Sequence, residues 1–163
     1  MKKFELTNEF ITNMFGTKLF RIRALVEFGD VEAGELGGYV EKESNLGHDD
    51  NAWVYDNAWV YGNARVCGDA RVCGDARVCG NGDYAYAHGF GSVNRTTTFF
   101  RLKDGGVGVR CGCFYGTLAQ FRDKIRETHG ETKKAQEYLM LADLMELRFE
   151  EDENEVGNRK YVE

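Results

Sequence analysis

Residues 51–80 read NAWVYD NAWVYG NARVCG DARVCG DARVCG, which is a six-residue repeat in five consecutive copies. Alanine and valine stand two positions apart in every copy, and side chains two positions apart on a β-strand point to the same face. Glycine, asparagine and aspartate recur between these short runs, and they tolerate the positive φ of tight turns. The repeat therefore predicts a short strand and a turn in each copy, with alanine and valine buried and tryptophan or arginine exposed.

Three copies make one coil of eighteen residues if the chain turns after each strand, so the repeat predicts a short left-handed parallel β-helix. Residues eighteen positions apart then stack, which places Trp53 on Arg71 and Trp59 on Arg77. A cation over an exposed aromatic ring contributes about 0.5–1 kcal/mol. Because exposed indoles anchor many interfaces, Trp53 and Trp59 are also predicted to lie in a homo-oligomeric interface.

The segments that flank the repeats predict hairpins and helices. Residues 9–28 read as a β-hairpin that turns at Gly16 and caps the coil, and residues 92–114 read as a second hairpin. Two helices are predicted after it. One opens with a capping box at Thr117, and the other runs over residues 132–149.

We therefore expect a mainly β protein: a short left-handed parallel β-helix with an N-terminal hairpin cap and a C-terminal β-hairpin plus two α-helices. The expected parts are a hairpin cap over 1–33, a hexapeptide-repeat β-helix over 34–91 and an α+β subdomain over 92–163. The last part ends in an acidic tail, because residues 150–155 carry five carboxylates.

A longer pattern extends the repeat upstream. Residues 36–46 read LGGYVEKESNL, and together with the repeats they resemble a family of uncharacterised hexapeptide-repeat proteins of phages and enterobacteria. The resemblance covers about residues 34–82, and it implies a left-handed β-helix and an acyltransferase activity. The later part of the chain, with Cys111-Gly-Cys-Phe and two helices, looks like the version carried by phages.

Composition and charge restrict the partners. The 163 residues carry 21 Lys and Arg against 27 Asp and Glu, a net charge of -6, so neither long nucleic acid nor an anionic membrane is an expected partner. The N-terminus lacks the apolar core of a signal peptide, and no apolar run has the length of a membrane span. We expect a cytoplasmic protein, in the host cytoplasm if it is encoded by a phage.

The five cysteines are predicted to be reduced and structural. Cys67, Cys73 and Cys79 occupy one slot of the repeat, so they lie at successive corners, too far apart for one metal ion. Cys111 and Cys113 are not accompanied by a second cysteine pair or a His-x-His pattern. Small buried hydrophobic side chains are the expected role, and no metal site is predicted.

A strand after the repeats is the main candidate for ligand binding. The candidate residues are Arg95, Thr96, Thr98, Phe99, Arg101 and Arg110. Guanidinium and hydroxyl groups at strand spacing can hold a phosphate, and an aromatic ring can stack a base. A threonine-rich exposed strand with solvated arginines is the alternative interpretation.

An acyltransferase would need a histidine base and acetyl-coenzyme A as its cofactor. His48 and His88 are the only histidines near the repeats, and either one can equally be a structural or turn residue. About two coils is also short for holding the coenzyme. Otherwise no cofactor is expected.

Three functions remain open at this point. The first is a non-catalytic, oligomeric binding protein of phage type that sequesters a small anionic ligand, such as a cyclic nucleotide signal of bacterial immunity. The second is a coenzyme-A-dependent acyltransferase of the hexapeptide-repeat type. The third is a purely structural oligomerisation module.

Overall fold

The computed structural model describes residues 1–150 of the chain. Within this range the chain forms three sheets and two α-helices. The strands are β1 (Phe4–Thr12), β2 (Lys18–Ala24), β3 (Leu36–Val40), β4 (Trp53–Val54), β5 (Trp59–Val60), β6 (Arg71–Val72), β7 (Arg77–Val78), β8 (Tyr84–Phe90), β9 (Arg95–Arg101), β10 (Val107–Cys111) and β11 (Phe114–Thr117). The helices are α1 (Leu118–His129) and α2 (Lys133–Phe149). The predicted acidic tail lies outside the described residues beyond Glu150.

The three sheets differ in strand direction. The first has the order β1-β2-β3-β5-β7; its first three strands are antiparallel, and β3, β5 and β7 are parallel. The second is the parallel pair β4-β6, and the third is the antiparallel sheet β11-β10-β9-β8. The fold is therefore mixed.

The prediction that the fold class is a parallel β-helix is wrong. Within residues 1–150 the repeat strands form no solenoid; they are divided between a five-stranded mixed sheet and a two-stranded sheet, and the third sheet is antiparallel throughout. Each repeat strand is only two residues long; β4 and β6 form a separate pair, whereas β5 pairs with β3 of the N-terminal sheet. The strands β5 and β7 therefore extend the sheet that begins with the N-terminal hairpin.

The predicted spacing within the repeats is confirmed. Trp53 pairs in register with Arg71, and Trp59 pairs with Arg77, both in parallel and eighteen positions apart. The inward residues are buried in one core. They are Ala52, Val54, Ala58, Val60, Ala64, Val66, Ala70, Val72, Ala76 and Val78.

The flanking hairpin and helices also match their sequence patterns. The N-terminal hairpin turns at Gly16, whose φ is 84°, although its first strand begins earlier than expected, at Phe4. Thr117 and Gln120 form the predicted capping box of α1. Helix α2 follows an N-cap at Thr132, and its inward face is buried against α1 and the four-stranded sheet.

The strand β9 separates two cores. Phe99 packs in the cluster beneath the helices, whereas its neighbour Phe100 belongs to the cluster that contains the repeat alanines and valines. Successive side chains of a strand point to opposite faces, so β9 is covered on both sides. The four-stranded sheet thus joins the repeats to the helices.

Candidate functional site

An open cleft of about 400 Å³ lies between the repeats and the β8-β9 hairpin. The residues that matter for its chemistry are Asp69, Arg71, His88, Arg95, Thr96 and Gly112. We refer to it as the arginine cleft. Its volume lies within the range of ordinary small-molecule sites, which is roughly 300–1,000 Å³.

The β8-β9 hairpin positions two polar groups of this cleft. His88 and Thr96 are directly opposite each other, and the imidazole Nδ1 lies 2.8 Å from the threonine hydroxyl oxygen. The turn between the strands uses a positive φ of 50° at Asn94, a residue that tolerates this conformation. The hydrogen bond fixes the ring of His88, which is exposed at the cleft.

Arg95 places a guanidinium group beside the backbone of the turn between β10 and β11. It is exposed, and a Cβ atom at Gly112 would collide with its Nη1. Gly112 also has a positive φ of 59°. The positive φ of the turn therefore favours glycine there, whereas the exposed end of the Arg95 side chain can move aside. Among residues 1–150, no carboxylate forms an ion pair with Arg95.

Arg71 contributes a second guanidinium group from the repeats. Its backbone N–H donates to the Thr98 hydroxyl at 3.0 Å, which ties β6 to β9. Its Nη1 lies 3.0 Å from Asp30 Oδ2, and the Tyr55 hydroxyl donates to Asp30 Oδ1 at 2.9 Å. Because this ion pair is partly exposed, it contributes only about 0–1 kcal/mol. An anionic ligand can therefore compete with Asp30 for Arg71.

Arg110 lies in a neighbouring cleft of about 260 Å³, beside Tyr55 and Asp30. Its guanidinium carbon is 5.0 Å from the centre of the Tyr55 ring, and its Nε donates to the Gly112 carbonyl at 2.7 Å. Burial raises the pKa of Tyr55, so its hydroxyl stays protonated. Asp30, bonded to both Tyr55 and Arg71, stands between the two clefts.

The structure separates the six predicted ligand-binding residues. Arg95 and Thr96 line the arginine cleft, and Arg110 lies in the adjoining one. The other three are buried inside the protein and line neither of these two clefts. They are Thr98, Phe99 and Arg101.

Each of these buried residues has a structural partner. The Thr98 hydroxyl accepts the bond from Arg71, and Phe99 packs edge-on against Phe121 with 6.0 Å between ring centres. Arg101 is paired with buried Asp83 at 3.4 Å. A ring inside the helical core cannot stack a ligand base.

His48 does not lie in the arginine cleft. Its ring is stacked on Phe4 with 4.3 Å between centres, and its Nδ1 accepts a hydrogen bond from the Lys3 backbone N–H at 3.1 Å. These contacts indicate a structural role for His48. His88, the other histidine proposed as an acyltransferase base, lines the arginine cleft.

The two predicted interface tryptophans differ in how far they are buried. Trp53 is fully buried within the chain, with Phe4 and Phe28 packed edge-on at 6.3 and 5.2 Å, so the prediction that it is exposed is wrong. The N-terminal hairpin and the loop after it cover the indole. Trp59 is half-buried, with the Arg77 guanidinium carbon 3.8 Å from its ring, which confirms that predicted stack.

Another cleft, of about 580 Å³, lies beside the start of α1. Its charged groups are Asp104, Glu146 and Glu150, which would repel an anion. The arginine cleft is smaller, but unlike this acidic cleft it offers cationic hydrogen-bond donors. Sequence reasoning missed Arg71 as a site residue. Its position at the outward slot of the repeat was the available signal.

Comparison of the chain with protein-family models finds no match, and neither does comparison with curated proteins. The resemblance to the hexapeptide-repeat family therefore stays a prediction. In the described part of the chain, no group of three His, Cys, Asp or Glu side chains is arranged to hold a metal ion. Neither helix within residues 1–150 is long and apolar enough to cross a membrane.

Proposed function

We propose that the protein binds a small phosphate-bearing anion in the arginine cleft without transforming it. A nucleotide is the ligand class that we favour. The observation that carries the proposal is Arg95, an exposed guanidinium beside an open cleft with no paired carboxylate among residues 1–150. A guanidinium group binds phosphate through two parallel hydrogen bonds, which gives both strength and orientation.

The groups around Arg95 support this ligand class. Arg71 can turn from Asp30 to a ligand because its ion pair is partly exposed. His88 and Thr96 add hydrogen-bonding groups on the same wall of the cleft. Asp69 and Asp30 border the site with negative charge, so they lower the affinity for anions and favour ligands that contact both arginines.

The proposed physiological role is sequestration. A phage protein that binds a cyclic nucleotide without catalysis would remove a signal of bacterial immunity from solution. The volume of about 400 Å³ is suited to one phosphate and its attached sugar, and the Arg110 cleft beyond Asp30 could take a second anionic group. The acyltransferase hypothesis is supported only by the exposure of His88, and it is the weaker of the two.

The test is calorimetric titration of the full chain with inorganic phosphate, AMP, cyclic dinucleotides and acetyl-coenzyme A. We expect at least one nucleotide to bind and Arg95→Ala to weaken it at least tenfold. Arg126→Ala is the matched control, because Arg126 is an exposed arginine on α1 outside the cleft. Equal affinity of Arg95→Ala and the unmodified protein would exclude the arginine cleft as the site.

A further inference from the structure

Helix α2 has an apolar stripe on its outer face. Met140, Leu144 and Leu147 are 71%, 53% and 66% exposed, which is far more than ordinary packing leaves open. Their spacing of four and then three residues places them on one side of a helix. We refer to these three residues as the α2 stripe.

The stripe is separate from the face that holds α2 on the protein. The buried residues of the helix are Ala135, Tyr138, Ala142, Met145 and Phe149. They pack in the core beneath the helices, so the fold does not need the stripe. A surface helix with an apolar outer face is typical of a helix that contacts another protein.

Two charged residues beside the stripe indicate what that partner is. Glu137 and Arg148 are eleven positions apart, so they lie within about 20° of each other around the helix axis. Neither forms an ion pair among residues 1–150. The stripe lies between them along the helix, with Glu137 toward its start and Arg148 toward its end, while Lys133 and Lys134 lie in the first turn before Glu137.

This arrangement is self-complementary in one orientation. When two copies of α2 pack antiparallel about a two-fold axis, Glu137 of one copy lies beside Arg148 of the partner subunit, and the stripes face each other. A parallel pair would place each of these charges beside its own equivalent, which is unfavourable. An isologous contact of this kind also closes the assembly at two subunits.

We propose that the α2 stripe binds a second copy of this chain, in an antiparallel helix pair that forms a symmetric homodimer. The helix is about 25 Å long, and the contact is smaller than the roughly 800 Å² per partner of a stable complex. We therefore expect the dimer to dissociate on dilution. This proposal is independent of the arginine cleft.

The test is sedimentation equilibrium of the full chain over a range of concentrations. Leu144→Glu is expected to raise the dimer dissociation constant at least tenfold. Met14→Glu is the control, because Met14 is 78% exposed in the N-terminal hairpin turn, away from α2. A monomer at every concentration, or a dimer that Leu144→Glu leaves unchanged, would overturn the proposal and leave the stripe for another protein.

Charge exchange tests the orientation without adding a charge to the stripe. Glu137→Arg and Arg148→Glu should each weaken the dimer, and the double variant should restore it because the two charges have exchanged places. Far-ultraviolet circular dichroism checks that α2 is intact in each variant. If the double variant dimerises no more tightly than either single variant, the antiparallel pairing is wrong. This comparison still tests the proposal if Leu144→Glu perturbs folding.

Discussion

Replacement of Arg101 by methionine should destabilise the protein by about 3–5 kcal/mol. Arg101 and Asp83 are only 2% and 5% exposed, with Nε and Oδ1 3.4 Å apart. The guanidinium also donates to the carbonyl oxygens of Gly105 and Phe149, at 3.2 and 3.3 Å. Methionine keeps much of the side-chain length and leaves Asp83 charged and buried, which is the costly way to break such a pair.

The expected loss is measurable by urea unfolding followed through tryptophan fluorescence. A change of 3–5 kcal/mol in a protein of this size lowers the melting temperature by about 6–20 °C, at roughly 2–4 °C per kcal/mol. The double variant Arg101→Met with Asp83→Asn removes both charges, so it should recover part of the loss. Arg126→Met, on the exposed surface of α1, should change stability by less than about 0.5 kcal/mol.

A small effect of Arg101→Met on stability would contradict the role of Arg101 as the partner of Asp83. If Arg101→Met unfolds within about 1 kcal/mol of the unmodified protein, the guanidinium does not neutralise Asp83 in the folded state. If Arg101→Met instead remains stable but loses nucleotide binding, Arg101 belongs to a ligand site, as the sequence alone had suggested.

Three further outcomes are expected. Trp53→Ala should cost about 3–5 kcal/mol of stability in urea unfolding because Trp53 is fully buried, and Trp59→Ala should cost clearly less; equal costs would contradict the burial of Trp53. Asp69→Asn should increase the affinity of the arginine cleft for AMP severalfold in calorimetry, since it removes a repelling charge; weaker binding would speak against an anionic ligand there. Burial raises the pKa of the Cys73 thiol to about 11, so at pH 8 a thiol reagent should modify exposed Cys113 well before Cys73. Mass spectrometry of the peptides measures the order, and modification of Cys73 first would contradict its burial.

The local structure of the repeats could be read from the sequence. The alternation of alanine and valine predicted which side chains are buried, and the period of six predicted the partners of Trp53 and Trp59. These features depend on neighbouring residues alone. The capping box at Thr117 likewise predicted where α1 begins, because a side chain that satisfies the first free N–H groups acts locally.

The fold class could not be read in this way. Strands of two residues do not determine which sheet they join, and that depends on the hairpin before them and on the β8-β11 sheet after them. The N-terminal hairpin also covers Trp53, an outward position within the repeat, by placing Phe4 on it. Long-range contacts of this kind leave no periodic signal.

Only part of the candidate site could be predicted from the sequence, for a related reason. The segment RTTTFFR has the composition of an exposed strand, but β9 lies between two cores, so Phe99 and Arg101 are covered by helices that come later in the chain. Only Arg95 and Thr96, at the end of the strand, remain at a cleft. Arg71 approaches them from the repeats through contacts that are distant in sequence.

Binding of a phosphate-bearing anion at the arginine cleft is tested most directly by an NMR titration of the ¹⁵N-labelled full chain with AMP. We expect saturable shifts of the Arg95 side-chain Nε–H and the His88 ring, with smaller shifts at Arg71. Shifts centred instead on the acidic cleft beside α1, or no saturable shift at any residue, would contradict binding at the arginine cleft.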